Sequence, residues 1–139
     1  MLDASVVGAW YIPGQATPAA TALYALRPRP AWRAPYCFGF EILNLLLRAE
    51  RIRRLRKGAV EDVQADLAAA VRVVVEPPPS RRTTRLVVSL SRLHSLSLFD
   101  AFYLHLAMEL GGSLATRDKA LGAAAQREGC QVLDAGILA

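Results

Sequence analysis

The 139-residue chain has two cysteines, Cys37 and Cys130, far apart and in no Cys-x-x-Cys pattern. That excludes a disulfide framework and a thiolate zinc site, and leaves two ordinary thiols of a reducing compartment. Histidine is equally scarce. His94 and His105 have no cysteine or histidine companion at ligand spacing, so structural roles are expected for both. No apolar run reaches the ~18 residues that a membrane-spanning helix needs. The opening residues, Met1-Leu2-Asp3-Ala4-Ser5, carry an acid at position 3 and no basic segment, which argues against a secretory leader. A cytoplasmic location is the expectation.

What is present is largely apolar. The apolar fraction is 53%, much of it alanine, which favours close helix packing as much as a large core. The length suits one domain over residues 1–139. The net charge of +5 is compatible with a polyanionic partner, but it does not choose between nucleic acid, an acidic protein and simple solubility.

Helical and strand signals alternate along the chain. Leu2 and the small residues after Asp3 suit a very short strand entering a helix over Ser5–Tyr11, stopped by Pro13-Gly14. Thr17 followed by Pro18 caps a second helix reaching Leu26, and Arg27-Pro28-Arg29-Pro30 breaks it. Ala31–Ala34 is a candidate strand. Phe38, Ile42, Leu45 and Leu46 then repeat at helical spacing in a segment that ends in a basic run, Arg48 to Lys57. After Gly58, Val60, Val63, Leu67 and Val71 mark another amphipathic helix. Val73-Val74-Val75 shows no alternation and is expected to be a buried, central strand. Beyond Pro77–Pro79, Leu86, Leu90 and Leu93 share one side of a helix from Thr83 to Leu93.

Leu96 to Leu121 is the densest stretch in local signals. Ser97 with Asp100 three residues on is an N-cap arrangement, Phe99, Phe102, Tyr103, Leu106 and Leu110 recur at helical spacing, and Gly111-Gly112 stops the helix. Ser113–Ala115 is β-compatible. Thr116-Arg117-Asp118 leads into a helix over Lys119–Arg127, and Gln131-Val132-Leu133 supplies a last strand. The pattern predicts an α/β domain with a small parallel sheet covered on both faces.

In such a sheet, sites form at the carboxyl ends of strands, where helix N-termini also point. Asp3 follows the first strand, Glu41 lies near the start of the helix after Ala31–Ala34, Asp100 is in the first turn of its helix, and Asp118 follows Ser113–Ala115. Four carboxylates sharing one end of a sheet resist joint ionisation unless a cation neutralises them. Oxygen ligands without His or Cys select a hard ion, Mg²⁺ or Mn²⁺. Such an ion activates water and stabilises a phosphoryl transition state, so metal-dependent phosphodiester hydrolysis is the chemistry expected.

LDAS at Leu2–Ser5, FEILN around Glu41, LSLFDAFYLHLA around Asp100 and LATRD at Leu114–Asp118 resemble the PIN domain, most closely the VapC-type toxins of toxin–antitoxin pairs. The resemblance covers nearly the whole chain, with all four acids in order. It implies a three-layer α/β/α fold around a small central parallel sheet, Mg²⁺- or Mn²⁺-dependent endoribonuclease activity on RNA, a homodimer, and a small cognate VapB-like antitoxin as partner. It also implies that Asp3, Glu41, Asp100 and Asp118 form the acidic pocket. Asp3 and Asp100 would be the direct metal ligands, with Glu41 and Asp118 acting directly or through water. Thr116 and Ser5 would orient the acids. The first strand is shorter than the family norm, and Pro77–Pro79 is a local peculiarity.

Each feature also has a plainer reading. Asp100 and Asp118 suit helix N-termini without any metal, and Glu41 could pair with Arg33 or Arg48. The basic run is read first as a solvated face or a surface for an acidic antitoxin, and second as a phosphate contact. Trp10, Tyr11, Phe102 and Tyr103 are candidates for core or dimer interface. The rival to catalysis is a non-catalytic PIN-like module binding RNA or protein. A phosphoacceptor receiver would need an acidic pair after the first strand and a lysine near the last, and neither is present.

Overall fold

The computed structural model describes residues 1–26 and 31–134; the break expected over residues 27–30 lies outside the described residues. The elements follow in the order α1 (Ala4–Tyr11), α2 (Pro18–Ala25), β1 (Trp32–Ala34), α3 (Phe38–Arg51), α4 (Ala59–Ala70), β2 (Val73–Val75), α5 (Arg81–His94), α6 (Leu98–Leu110), β3 (Leu114–Thr116), α7 (Lys119–Arg127) and β4 (Val132–Asp134).

The strands form two parallel pairs, β1 with β2 and β3 with β4. The first residues of the chain stitch these pairs together. The Leu2 amide donates to the Arg33 carbonyl at 2.9 Å on one side. On the other, the Ala115 amide donates to Met1 at 2.9 Å and the Asp3 amide to Ala115 at 3.0 Å. The first strand is thus a single parallel bridge, Leu2 opposite Ala115. Across the sheet the order is β2, β1, residues 1–3, β3, β4. In chain order this is 3-2-1-4-5, the doubly wound arrangement whose strand order reverses between the first strand and β3. That reversal opens a crevice at the strand ends, and Asp3 and Thr116 stand on its two sides.

Local chemistry accounts for the helix boundaries. Thr17, Ser80, Ser97 and Asp118 each accept a backbone amide three residues on, capping α2, α5, α6 and α7. Gly111 ends α6 in the left-handed conformation, at φ 58°. Trp10 secures α1 to α2 by donating from Nε1 to the Ala20 carbonyl at 2.8 Å, and its ring meets Tyr24 edge-on. Tyr11 donates to Asp66, tying α1 to α4.

The core is aliphatic and alanine-rich, with Leu2, Val6, Leu46, Leu104, Leu114, Leu121 and Tyr103 fully buried. α6 is buried on more than one side, through Ala101, Tyr103, Leu104, Leu106 and Ala107, because it packs against α5, α7 and β3. Its Phe99 and Leu110, expected on the same periodic stripe, remain exposed.

β2 is a correction to the sequence reading. Among the described residues it pairs with β1 alone and so lies at the sheet edge, and Val74 and Val75 are exposed instead of buried. An uninterrupted β-branched run reports extended backbone, and only strand order decides whether both faces are covered. The prolines that follow have no amide to offer another chain, which blunts the edge just beyond β2. On α5, Leu86 and Leu93 are exposed, Leu90 is half-buried against the core and Val87 alone is fully buried, so the leucine side is only partly covered.

Candidate metal centre

The crevice at the strand reversal opens into a cavity of about 450 Å³ whose walls carry Asp3, Glu41, Asp100 and Asp118. The four predicted acids come from four separate parts of the chain and meet there, and Ser5 shares the wall. Thr116 lies behind it, buried.

Asp3 is the most enclosed of the four, at 4% exposure. It precedes α1 but does not cap it. Its Oδ2 instead accepts two hydroxyls, from Ser5 at 2.6 Å and Thr116 at 2.7 Å. Both donors hold the same oxygen, so the other carboxylate oxygen takes neither. Thr116 Oγ1 also accepts the Asp118 amide at 3.0 Å, and Ser5 Oγ accepts the Arg117 amide at 3.0 Å. These bonds fasten the turn after β3 to the end of the first strand, and they use the two-residue steps from Thr116 to Asp118 and from Asp3 to Ser5. Burial pushes the Asp3 carboxyl above the usual carboxylate range, the hydroxyls of Ser5 and Thr116 pull it back, and the neighbouring Asp100 adds to the rise.

Asp100 sits at the third position of α6. Its amide donates to Ser97 Oγ at 3.1 Å, and that hydroxyl donates to Asp100 Oδ2 at 2.8 Å, so the cap and the acid brace each other. Its carboxyl is also raised, by burial first and then by Asp118 across the cavity. Asp118 caps α7 by accepting the Leu121 amide at 2.9 Å. Asp118 thus caps its helix and Asp100 braces the cap of its own, while both stand on the cavity, as α6 and α7 both start at this end of the sheet.

Glu41 is in the first turn of α3. Arg33, one partner anticipated for it, pairs with Glu76 instead, while Arg48 stands on the cavity wall. Its hydrogen-bond partner is Cys37, whose Sγ lies 3.3 Å from Oε1, one helical turn earlier. Burial raises the Glu41 carboxyl. Burial and the adjacent carboxylate push the Cys37 thiol up to about 12, so it is a protonated donor and an inert thiol. Tyr103 backs the same corner. It is fully buried, its hydroxyl lies near Glu41 without a partner of hydrogen-bonding geometry among the described residues, and its pKa is raised by burial and by the nearness of Glu41 and Asp3. Neither Cys37 nor Tyr103 was anticipated in the site. The four-residue step from Cys37 to Glu41 and the three-residue step from Asp100 to Tyr103 were the available signals.

Among the described residues no lysine or arginine forms an ion pair with any of the four acids. Nor, among the described residues, do any three acids, histidines or cysteines stand close enough together to hold a metal ion as they are placed. The arrangement is an open cradle of carboxylates, three of them resisting ionisation. That fits a hard, partly hydrated cation such as Mg²⁺, which takes one or two carboxylates and keeps several waters. Elsewhere, His94 Nε2 lies 2.6 Å from Glu128 Oε1, which joins α5 to the end of α7 and gives this histidine the structural part expected of it. A second cavity of about 240 Å³ lies between Pro77–Pro79 and Phe102. Its acids are Glu76, engaged by Arg33, and Glu109.

The model of the PIN domain matches residues 1–128. The chain belongs to the PIN-domain family. The PIN domain is generally a nuclease domain, typically with a divalent metal, and a nucleic-acid substrate follows from that membership. Among solved structures, the PIN-domain chain is similar to PAE2754 from Pyrobaculum aerophilum. The two share 23% identity at a TM-score of 0.69, over 95% of this chain and 87% of that one. At that identity the likeness bears on fold alone, and it agrees with the mixed helices and short parallel strands expected of a PIN-like α/β domain. No curated protein matches the sequence. No helix of the described residues is long and apolar enough to cross a membrane.

Proposed function

We propose that this PIN domain is a Mg²⁺- or Mn²⁺-dependent endoribonuclease. The observation that carries the reading is the convergence of Asp3, Glu41, Asp100 and Asp118 on one cavity with, among the described residues, no cationic side chain paired to them. Asp3 and Asp100 would hold the ion directly, and Glu41 and Asp118 directly or through bound water. When bound, such an ion lowers the pKa of its water and offsets charge building on the phosphate.

The remaining residues of the site hold and orient. Ser5 and Thr116 anchor Oδ2 of Asp3, which fixes the rotamer in which the other oxygen is free to ligate. Ser97 does the same for Asp100. The Cys37 thiol donates a hydrogen bond to Oε1 of Glu41, which steadies that carboxylate on the cavity wall. The raised carboxyls of Asp3, Glu41 and Asp100 mean that the cradle favours a cation over three anions left uncompensated.

The biological setting proposed is that of a VapC-type toxin, a cytoplasmic homodimer held in check by a small VapB-like antitoxin. Support for it lies in the LDAS, FEILN, LFDA and LATRD motifs. The test is cleavage of single-stranded RNA by the purified chain with Mn²⁺ or Mg²⁺, against Asp3→Asn and Asp100→Asn. Each variant is expected to lose at least a hundredfold in rate while keeping its circular dichroism spectrum. An unchanged rate overturns the assignment. For the toxin role, expression should arrest growth, and co-expression of a small neighbouring reading frame should relieve it. The rival reading, a binding module without catalysis, predicts RNA binding with no metal uptake by calorimetry.

A further inference from the structure

Two phenylalanines stand on the wall of the acidic cavity and face solvent. Phe40 is 68% exposed and Phe99 51% exposed, and both line the cavity that holds the four acids. Each immediately precedes an acid, Phe40 before Glu41 on α3 and Phe99 before Asp100 at the start of α6. One residue on a helix turns about 100°, so an acid aimed at the cavity floor places its neighbour on the rim. Tyr36, 46% exposed, meets Phe40 edge-on with ring centroids 6.3 Å apart and supports that ring from outside the cavity.

Phe40 gains nothing for the core in this position, since α3 buries Phe38, Ile42, Leu46 and Ala49 on its other side. The exposed side of the same helix carries Phe40, Asn44 and Arg48, all on the cavity wall, and continues into Arg51 and the basic turn that reaches Lys57. Phe40 to Arg48 spans about 12 Å of helix at 1.5 Å per residue. An aromatic face, a carboxylate cradle and guanidinium groups therefore follow one another along a single track. Alternation of π-faces with cations is the composition that binds single-stranded nucleic acid, where bases stack and phosphates meet positive charge. In a duplex the base faces are already covered, so such rings find no partner there.

We infer that Phe40 and Phe99 are stacking platforms for unpaired bases that bring the phosphate between them over the acids, and that the strand continues over Arg48 toward Arg51. The segment cut is then single-stranded, with its bases turned out of any helix. This rests on the nuclease reading of the same cavity, but makes a separate claim about how the strand is held.

The experiment measures binding of a short fluorescent single-stranded RNA to the full chain in EDTA, beside a duplex of the same sequence. Alanine in place of a stacking aromatic weakens binding by roughly five- to a hundredfold per base. Phe40→Ala and Phe99→Ala should each lose affinity in that range for the single strand and show no change for the duplex. Phe40→Leu keeps the apolar bulk without the aromatic face and should behave as Phe40→Ala. Phe40→Trp should restore binding, with its indole emission quenched by the bound strand. Thermal melts confirm that these exposed substitutions leave the fold intact. Wild-type affinity in Phe40→Leu, or equal losses for single strand and duplex, overturns the inference; unchanged RNA binding in both alanine variants does so too and turns the rings toward a protein partner. Aromatic-dependent binding without cleavage in Mn²⁺ refutes the nuclease reading and leaves this one standing. Cleavage that ignores both phenylalanines does the reverse.

Discussion

Thr116 Oγ1 stands 2.7 Å from Asp3 Oδ2, across 113 positions of the chain, while accepting the Asp118 amide at 3.0 Å. One buried hydroxyl thereby orients the Asp3 carboxylate and fixes the backbone that carries Asp118, tying the first strand to the turn after β3. Thr116→Val keeps the shape and removes both bonds. It should cost about 1–2 kcal/mol of stability, because a buried carboxylate and an amide each lose a partner. Cleavage should fall at least tenfold, and Thr116→Ser should recover most of it. Melting curves and single-turnover rates read the two effects separately; a valine variant that is less stable but equally active confines Thr116 to the fold.

Metal should stabilise the folded chain. A ligand bound only by the native state, at a hundred times its dissociation constant, adds about 2.7 kcal/mol. Titrating Mn²⁺ into the wild type at neutral pH is expected to raise the melting temperature in a saturable way. The doubly substituted Asp3→Asn, Asp100→Asn chain should show no such rise, having lost both proposed direct ligands. A shift of equal size in both would place the ion elsewhere.

The acids make stability depend on pH in a definite direction. Asp3, Glu41 and Asp100 have folded-state pKa values above their ordinary ones, each mainly through burial. The folded chain therefore binds protons that the unfolded chain has already released. Their contribution is fully present below about pH 4 and is lost as the pH rises through the raised values. In EDTA, Glu41→Gln should melt higher than wild type at pH 7, and the advantage should shrink as the pH falls toward 4. A gain that does not vary with pH would exclude a carboxylate origin.

His94 offers a control remote from the cavity. Its side chain is 6% exposed and paired with Glu128. His94→Ala should destabilise by roughly 1–2 kcal/mol, the usual scale for breaking a buried polar contact, and leave the cleavage rate of the folded fraction unchanged. A rate loss without a stability loss would give this histidine a place in the reaction.

Much of this molecule is legible in short stretches of its sequence, because the forces concerned are local. Ser97 caps α6 and Gly111 stops it within a few residues of where they act, and Asp118 caps α7 in the same way. Those caps also put two acids at helix starts, and strand–helix alternation then puts helix starts at one end of a parallel sheet. The features that escaped depend on neighbours from afar. Val73–Val75 carries the same residues whether it lies at the centre or the edge of a sheet, and only the order of strands across the sheet left Val74 and Val75 open.

The sequence by itself determined most of the elements, the caps at Thr17 and Ser97 and four acids as candidates, since helix periodicity, capping and turn chemistry are set by residues within a few positions of one another. Only the tertiary structure decided that Leu2 is the single bridge joining two strand pairs, and that Thr116 reaches Asp3. It also decided that Cys37 and Tyr103 crowd Glu41 and that Phe40 and Phe99 face outward beside the acids. These are contacts between distant segments, fixed by how the sheet orders its strands and by which side of each helix the core then covers.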